Sequence, residues 1–111
     1  MSEAINFDDF TKVDLRIGTI VDVADFSEAR NPSYKLKIDF GELGIKQSSA
    51  QITTLYKKGE LLNKQVVAVV NFPKKQIANF FSECLVLGAV RGKDVVLLNP
   101  ENKVSNGAIV S

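Results

Sequence analysis

Residues 65–90 read QVVAVVNFPKKQIANFFSECLVLGAV, and this stretch decides the fold that we predict. Residues 65–70 and 85–90 are short apolar runs rich in β-branched side chains, which predicts two buried strands. Pro73 ends the first run, because proline cannot donate a hydrogen bond to a strand ladder. The residues between the two runs therefore form a connection longer than a simple turn.

This connection carries two lysines beside three phenylalanines. Phe72 precedes Lys74 and Lys75, and Phe80 and Phe81 follow them. Connections held between rigid strands often carry binding residues, and this composition suits either a phosphate backbone or an apolar peptide. The alternative is that the phenylalanines fill one end of a barrel while the lysines are solvated, since aromatic residues dominate core energetics. The residues alone leave both interpretations open.

Upstream of this stretch, the side chains alternate between apolar and polar. Residues 15–24 have a period of two, which predicts a long strand, and Gly18 within it predicts a bulge or a tight bend. Residues 34–40 predict a second strand with one solvated face. Residues 41–44 are spaced like a hairpin loop, so residues 45–50 are predicted to return antiparallel.

Two short helical segments interrupt the strands. Asn6 can cap a helix over residues 7–12, where Phe7 and Phe10 share a face that must be buried somewhere. Residues 51–63 have weaker patterns, and a short helix or turn is predicted within them.

The later residues add two more strands, at 94–98 and 108–110. Many short strands with one helical insert are typical of an all-β protein. The order of elements predicts a five-stranded Greek-key barrel of the OB type, with short helical segments at the N-terminus and between strands 3 and 4. We expect residues 1–111 to form a single domain.

Composition narrows the class of protein further. The chain has 111 residues and a net charge of +1. Residues 1–42 hold nine acidic against five basic side chains, whereas residues 43–111 hold four against nine. Basic clustering of this kind fits an anionic partner or an ordinary solvated surface. No apolar segment is long enough to insert into a membrane, so we expect a cytoplasmic protein.

The chemistry of catalysis and metal binding is absent. The chain has no histidine and one cysteine, Cys84, which cannot supply a structural zinc site of the usual kinds. Cys84 lies among apolar residues, which predicts a buried and unreactive thiol. We therefore expect a binding protein without catalytic residues, metal or cofactor, rather than an enzyme.

Three segments, residues 13–20, 69–77 and 82–88, together resemble the tRNA-binding-domain family of OB folds. That family includes free-standing tRNA-binding proteins and domains appended to aminoacyl-tRNA synthetases. Residues 28–41 and 44–52 are similar to a small stand-alone branch of it, described as an export-related chaperone. The resemblance extends from about residue 7 to residue 107.

The resemblance implies a homodimer that binds unfolded or export-bound polypeptides, and it leaves tRNA as a further partner. It assigns nucleic-acid contacts to six positions: Arg16, Asn71, Lys74, Lys75, Ser82 and Glu83. Two departures from the synthetase-type pattern favour the chaperone-type branch. Residues 27–33 differ from the usual His-Pro-x-Ala-Asp sequence, and Cys84-Leu85 stands where Gly-Met is common.

Under the chaperone hypothesis, peptide contacts come from four apolar residues of the connection: Phe72, Ile77, Phe80 and Phe81. The dimer interface is predicted to bury residues near both ends of the chain: Phe7, Phe10, Ala108 and Ile109. One alternative is an RNA-binding module without a chaperone role, in which lysines neutralise phosphates and aromatic rings stack on bases. Another is a dimeric adaptor for a larger enzyme.

Two of the assigned positions also have structural interpretations. Arg16 alternates to the polar face of its strand and is a candidate partner for Glu83 across the barrel. Asn71 is a candidate cap for the turn at Phe72 and Pro73.

Overall fold

The computed structural model describes residues 3–111 of the chain. Two short helices, one 3-10 turn and ten strands follow one another: α1 (Phe7–Thr11), β1 (Leu15–Asp25), β2 (Tyr34–Asp39), the 3-10 turn (Gly41–Leu43), β3 (Ile45–Ala50), α2 (Lys58–Leu61), β4 (Gln65–Val69), β5 (Lys75–Ile77), β6 (Phe80–Ser82), β7 (Leu85–Val86), β8 (Gly88–Arg91), β9 (Asp94–Leu97) and β10 (Ile109–Val110). The two helices lie where the sequence predicts them, before the first strand and between the third and fourth. No helix in the described range is long and apolar enough to cross a membrane.

The main sheet is antiparallel, with strand order β3-β2-β1-β4-β7, and β10 pairs with the start of β1. β1 belongs to both halves of the sheet, since residues 15–19 pair with β4 and residues 19–25 pair with β2. This double pairing curls the five strands into a nearly closed barrel. The predicted all-β OB-type barrel is confirmed.

The barrel closes between β3 and the residues that precede β7. The Glu83 amide donates to the Gln47 carbonyl at 2.8 Å, and the Gln47 amide donates to the Glu83 carboxylate at 3.1 Å. The Gln47 side chain also donates to the Phe81 carbonyl at 2.9 Å. Side-chain and main-chain groups thus close the gap between β3 and β7, which no strand pair within residues 3–111 covers.

The core fills the inside of the barrel with one face of each strand. In β2 the alternation is strict, with Tyr34, Leu36 and Ile38 buried. Phe40 and Leu61 are fully buried beside them, so α2 covers one end of the barrel. Each such side chain contributes about 1.5–3 kcal/mol through burial, and this packing is the main source of stability.

Gly18 has a different role from the one predicted. The register of β1 against β2 shifts between Ile20 and Asp22, so the bulge lies after Gly18 rather than at it. A Cβ atom at Gly18 would lie 2.6 Å from Ile38 Cγ2 and 2.7 Å from Phe40 Cδ1. Glycine is present because the core packs directly against its backbone.

The prediction of one buried strand over residues 85–90 is also wrong. The chain forms two short strands there, β7 and β8, because only β7 stays paired with β4 in the barrel wall. β8 then leaves the barrel and pairs with β9. The connection predicted after β4 contains a second small sheet, the β5–β6 hairpin.

Candidate binding site at the β5–β6 hairpin

Residues 70–84 join β4 to β7, and we call them the hairpin segment. Its strands pair Lys75 with Ser82, Gln76 with Phe81 and Ile77 with Phe80. Cross-strand partners share a face and successive residues alternate. One face therefore carries four residues, Lys75, Ile77, Phe80 and Ser82, and the other carries Gln76 and Phe81.

Phe80 anchors the hairpin segment to the body of the protein. Its ring centroid lies 5.3 Å from that of Phe26, in the loop between β1 and β2, and only 8% of the residue is exposed. The Lys35 ammonium lies over both rings, 4.9 Å from the Phe26 centroid and 5.7 Å from that of Phe80. Of the four predicted peptide contacts, Phe80 is the one that the monomer withdraws from the surface.

The anchored face borders two adjoining grooves. One has a volume of about 430 Å³ and is lined by Phe72, Pro73, Lys75, Ser82, Glu83, Cys84 and Leu85. The other, of about 400 Å³, shares four of these residues and adds Ile77 together with side chains of β3, β7 and β9. Phe72 is 55% exposed and Leu85 is 49% exposed, so the grooves present apolar surface to solvent.

Phe81 lies on the other face of the hairpin, where it is 48% exposed. It borders a shallow depression of about 440 Å³ with Gln47, Lys74 and Glu83. The predicted peptide-contact residues are thus divided between two faces of the hairpin, since Phe72 and Ile77 line the grooves and Phe81 lies on the opposite face.

The hairpin segment carries two adjacent lysines where its first strand begins, Lys74 just before β5 and Lys75 at its first position. The Lys74 ammonium lies 3.8 Å from the Glu83 carboxylate and remains largely exposed. Lys75 lines both grooves, and no carboxylate within residues 3–111 forms an ion pair with it. The structure therefore brings together Lys74, Lys75, Ser82 and Glu83 of the predicted nucleic-acid positions.

Arg16 is not part of this cluster. Its guanidinium contacts the Asp14 carboxylate at 2.6 Å and donates to the Gly107 carbonyl at 3.0 Å, which holds the C-terminal residues against β1. It borders a separate groove beside Asn106. The suggested Arg16 pairing with Glu83 is wrong, because Asp14 lies two residues away and is the nearer partner.

Asn71 connects the hairpin segment to the link between α1 and β1. Its side-chain oxygen accepts from the Asp14 amide at 3.0 Å, and its amide donates to the Lys12 carbonyl at 2.7 Å. The Val70 amide adds a bond to the Asp14 carbonyl at 2.9 Å. The suggested capping of the turn at Phe72 and Pro73 is therefore wrong, since both polar atoms of the side chain face the other way.

Cys84 lies at the floor of the grooves and is buried. Burial raises the pKa of its thiol to about 12, and the neighbouring Glu83 charge acts in the same direction. The thiol is protonated at neutral pH, as predicted for an unreactive cysteine. No group of three or more metal-ligating side chains occurs in the part of the chain that the structure describes.

The predicted dimer residues lie on exposed surface. Phe7 is 75% exposed and Ile109 is 70% exposed, while Phe10 and Ala108 are half-buried. The rings of Phe7 and Phe10 lie 6.2 Å apart on α1.

One groove residue escaped the sequence interpretation. Leu85 was assigned to a buried strand, but it points outward from β7 and lines both grooves. The sequence did contain a signal, because successive strand residues point to opposite faces. If Cys84 and Val86 point toward the core, Leu85 between them must point outward.

Comparison with known proteins identifies the class of this barrel. Residues 15–109 match the family model described as "Putative tRNA binding domain". The chain belongs to this tRNA-binding-domain family. Methionine–tRNA ligase of Thermococcus onnurineus is 39% identical over 106 residues, which are 96% of this chain and 14% of the ligase. The chain thus spans about one seventh of the length of that curated relative.

Two solved structures are similar over their full length. The chaperone CsaA from Bacillus anthracis str. Ames is 55% identical with a TM-score of 0.95, covering 98% of this chain and 100% of that one. The CsaA chaperone protein from Picrophilus torridus is 55% identical with a TM-score of 0.91, covering 97% and 100%. Within the family, the chain therefore resembles the CsaA chaperones, which confirms the branch indicated by sequence.

Proposed function

We propose that this chain is a CsaA-like molecular chaperone that binds unfolded or export-bound polypeptides, acts as a cytoplasmic homodimer and catalyses no reaction. The observation that carries the proposal is the pair of solvent-open apolar grooves beside the hairpin segment. Phe72 and Leu85 are each about half exposed there, next to the Lys75 ammonium, which forms no ion pair within residues 3–111. Exposed apolar surface with a polar rim is typical of interaction sites.

The grooves suit many clients rather than one ligand. An unfolded chain exposes apolar side chains, and their burial against Phe72, Ile77 and Leu85 drives association without directional requirements. Lys75 adds attraction for client carboxylates. The full-length similarity to two CsaA chaperones supports this function.

The test is suppression of client aggregation by the double variant Phe72→Ser and Leu85→Ser. We expect it to lose most of the activity of the wild-type protein while keeping its circular dichroism spectrum and melting temperature. The matched control is Leu62→Ser, because Leu62 is 46% exposed but lines neither groove. Equal suppression by the double variant and the control would argue against the grooves as the client site.

The homodimer is part of the same proposal. β10 pairs with β1 on one side, so Ile109 lies at a sheet edge, and Phe7 on α1 is exposed. Sheet edges and exposed aromatic residues need cover, which a second copy supplies. We expect Phe7→Asp combined with Ile109→Lys to sediment as a monomer. Sedimentation of this variant as a dimer would exclude these residues from the interface.

A second candidate function, binding of tRNA or another structured RNA, is favoured by two adjacent exposed lysines, Lys74 just before β5 and Lys75 at its first position. Each lysine that neutralises a phosphate steepens the dependence of affinity on salt, with a slope of roughly −0.7 to −0.9 per contact. We expect Lys75→Ala to weaken tRNA binding at low salt and to reduce that slope by about 1. An affinity for tRNA that does not change with salt would remove this candidate.

A further inference from the structure

The outer edge of β5 has main-chain groups that point away from its partner strand. The hairpin turns through two residues, Ala78 and Asn79, so the closing pair of Ile77 and Phe80 exchanges both hydrogen bonds. Hydrogen-bonded and non-hydrogen-bonded pairs alternate along an antiparallel ladder. The next pair, Gln76 and Phe81, is therefore the non-bonded kind, and its amides and carbonyls point outward.

The outward-pointing main-chain groups of β6 and of β5 differ in whether they find hydrogen-bond partners. On the β6 side, the Phe81 carbonyl accepts a bond from the Gln47 side chain at 2.9 Å, which confirms the register. On the β5 side, no hydrogen bond within residues 3–111 uses the amide or the carbonyl of Gln76. The Gln76 side chain donates to the Ala78 carbonyl at 3.1 Å and leaves the main chain of this exposed residue open.

We propose that a client polypeptide binds here as an added β-strand, with one residue accepting a hydrogen bond from the Gln76 amide and donating one to the Gln76 carbonyl. The inference rests on the proposed chaperone function and specifies how the client is held. The client residue opposite Gln76 points toward the Phe81 face. Its two neighbours point toward the face of Lys75 and Ile77, into the grooves. Main-chain bonds give affinity independent of client sequence, while the grooves select apolar residues at alternate positions.

Charge decides which kind of chain occupies the edge. A second copy pairing antiparallel at the same edge, with Gln76 opposite Gln76, would gather two copies of Lys74 and of Lys75 on one three-residue ladder. The mutual repulsion of these four like charges opposes such a pairing. An extended client that carries carboxylates between its apolar residues presents them on the face of Gln76 and Phe81, where the largely exposed Lys74 ammonium lies. RNA has no strand-like row of amides and carbonyls to complete the ladder.

The experiment compares two substitutions at one residue. Gln76→Pro removes the open amide, and proline is tolerated on edge strands because that amide has no ladder partner. Gln76→Ala removes the side chain and keeps the amide. The probe is a fluorescent unstructured peptide with alternating leucine and glutamate. Loss of one main-chain bond and distortion of its neighbour predict a Kd about tenfold weaker for the proline variant. The alanine variant is expected to bind like the wild type.

A second measurement needs no protein variant. Peptides carrying a single N-methyl group at successive positions are titrated against the wild-type protein. We expect binding to weaken at alternate positions, because only every other peptide amide faces β5. This result is independent of any effect of Gln76→Pro on folding.

The outcomes separate the inference from the function on which it rests. Wild-type binding that neither the proline variant nor N-methylation weakens overturns strand addition and leaves the chaperone function standing. No binding of the probe to the wild-type protein overturns both. A change of oligomeric state in Gln76→Pro assigns the edge to a second copy, and weakened tRNA binding with unchanged peptide binding assigns it to RNA; either result overturns the proposal.

Discussion

Two hairpins of this molecule, β2–β3 and β5–β6, are built from the same kind of pairing and differ in what covers them. The β2–β3 hairpin has six residue pairs, and β2 buries Tyr34, Leu36 and Ile38 in the barrel core. The β5–β6 hairpin has three pairs and buries Phe80 alone. The β2–β3 hairpin is part of the barrel wall, because its inner face packs on the core and β2 also pairs with β1. The β5–β6 hairpin is anchored to the barrel by Phe80, and the outer edge of β5 stays open.

The difference shows how a small barrel can carry the candidate binding site at little cost to its stability. Nearly all apolar burial lies in the barrel wall, so changes in the hairpin segment leave the core intact. Local stability follows the density of buried contacts, and segments with few of them open more readily than the core. The predictions below test that separation, from the largest expected effect to the smallest.

Phe40→Ala in the wall, compared with Phe81→Ala in the hairpin, gives the largest contrast. Phe40 is fully buried, and truncation of a core phenylalanine costs about 3–5 kcal/mol of unfolding free energy. Phe81 is half exposed, so its loss is expected to cost about 0.5 kcal/mol or less. Urea unfolding of both variants measures the difference. Similar losses would mean that the hairpin belongs to the core.

Gly18→Ala tests the wall from the opposite direction, by adding an atom. The new Cβ would lie 2.6 Å from Ile38 and 2.7 Å from Phe40, both fully buried in the core. Overpacking of this kind costs about 1–3 kcal/mol. The control is Gly59→Ala on α2, where a Cβ meets no atom within 4 Å. If Gly18→Ala and Gly59→Ala had the same free energy of unfolding, the side chains around residue 18 would be able to shift and accept the added methyl group, which would contradict the tight packing.

The same contrast explains which features the sequence predicts. Residues 45–50 form a strand with the predicted bounds, because the alternation of β2 and the glycine-bounded loop that follows it fix where the returning strand begins. β5 and β6 have three residues each, which is too few alternations for a periodicity signal. Adjacent Phe80 and Phe81 therefore look alike in sequence, although pairing puts one inside and one outside.

The candidate site was predictable in its location and only partly in its residues. Lys74 and Lys75 lie where expected, because they follow a proline that ends a buried strand. Asn71 bonds to Lys12 and Asp14, more than fifty residues away in the chain, and no local pattern predicts such a contact. The open edge at Gln76 depends on the register of a hairpin that sequence periodicity does not detect.

Cys84 tests the junction between the hairpin and the wall through pH. Its thiol pKa is raised from an ordinary value of 9.0 to about 12, mainly by burial. Above pH 9 the unfolded thiol ionises while the folded thiol stays protonated, so its contribution is full below pH 9 and is lost as pH rises toward 12. The wild type should lose about 1.4 kcal/mol per pH unit in that window relative to Cys84→Ala. Urea unfolding at pH 8, 9, 10 and 11 measures this, and parallel curves would contradict it.

Asn71→Ala is expected to have the smallest effect on global stability and to act on the hairpin segment. It removes two exposed hydrogen bonds, one accepted from the Asp14 amide and one donated to the Lys12 carbonyl, for a loss of about 1 kcal/mol. Because the Val70 amide still bonds to Asp14, β4 stays in register and only the residues beyond it are loosened.

Hydrogen exchange distinguishes this local loosening from general destabilisation. Amides of residues 72–83 should exchange faster in Asn71→Ala, whereas those of β2 and β3 should keep their wild-type protection. Asn71→Asp is the matched comparison, since it keeps the acceptor for the Asp14 amide and loses the donor to Lys12. Faster exchange throughout β2 and β3 would contradict a separable hairpin, because the two regions would then open as one cooperative unit. Faster exchange confined to residues 72–83 would mean that the link between α1 and β1 fixes where the proposed client-binding edge of β5 lies relative to the barrel.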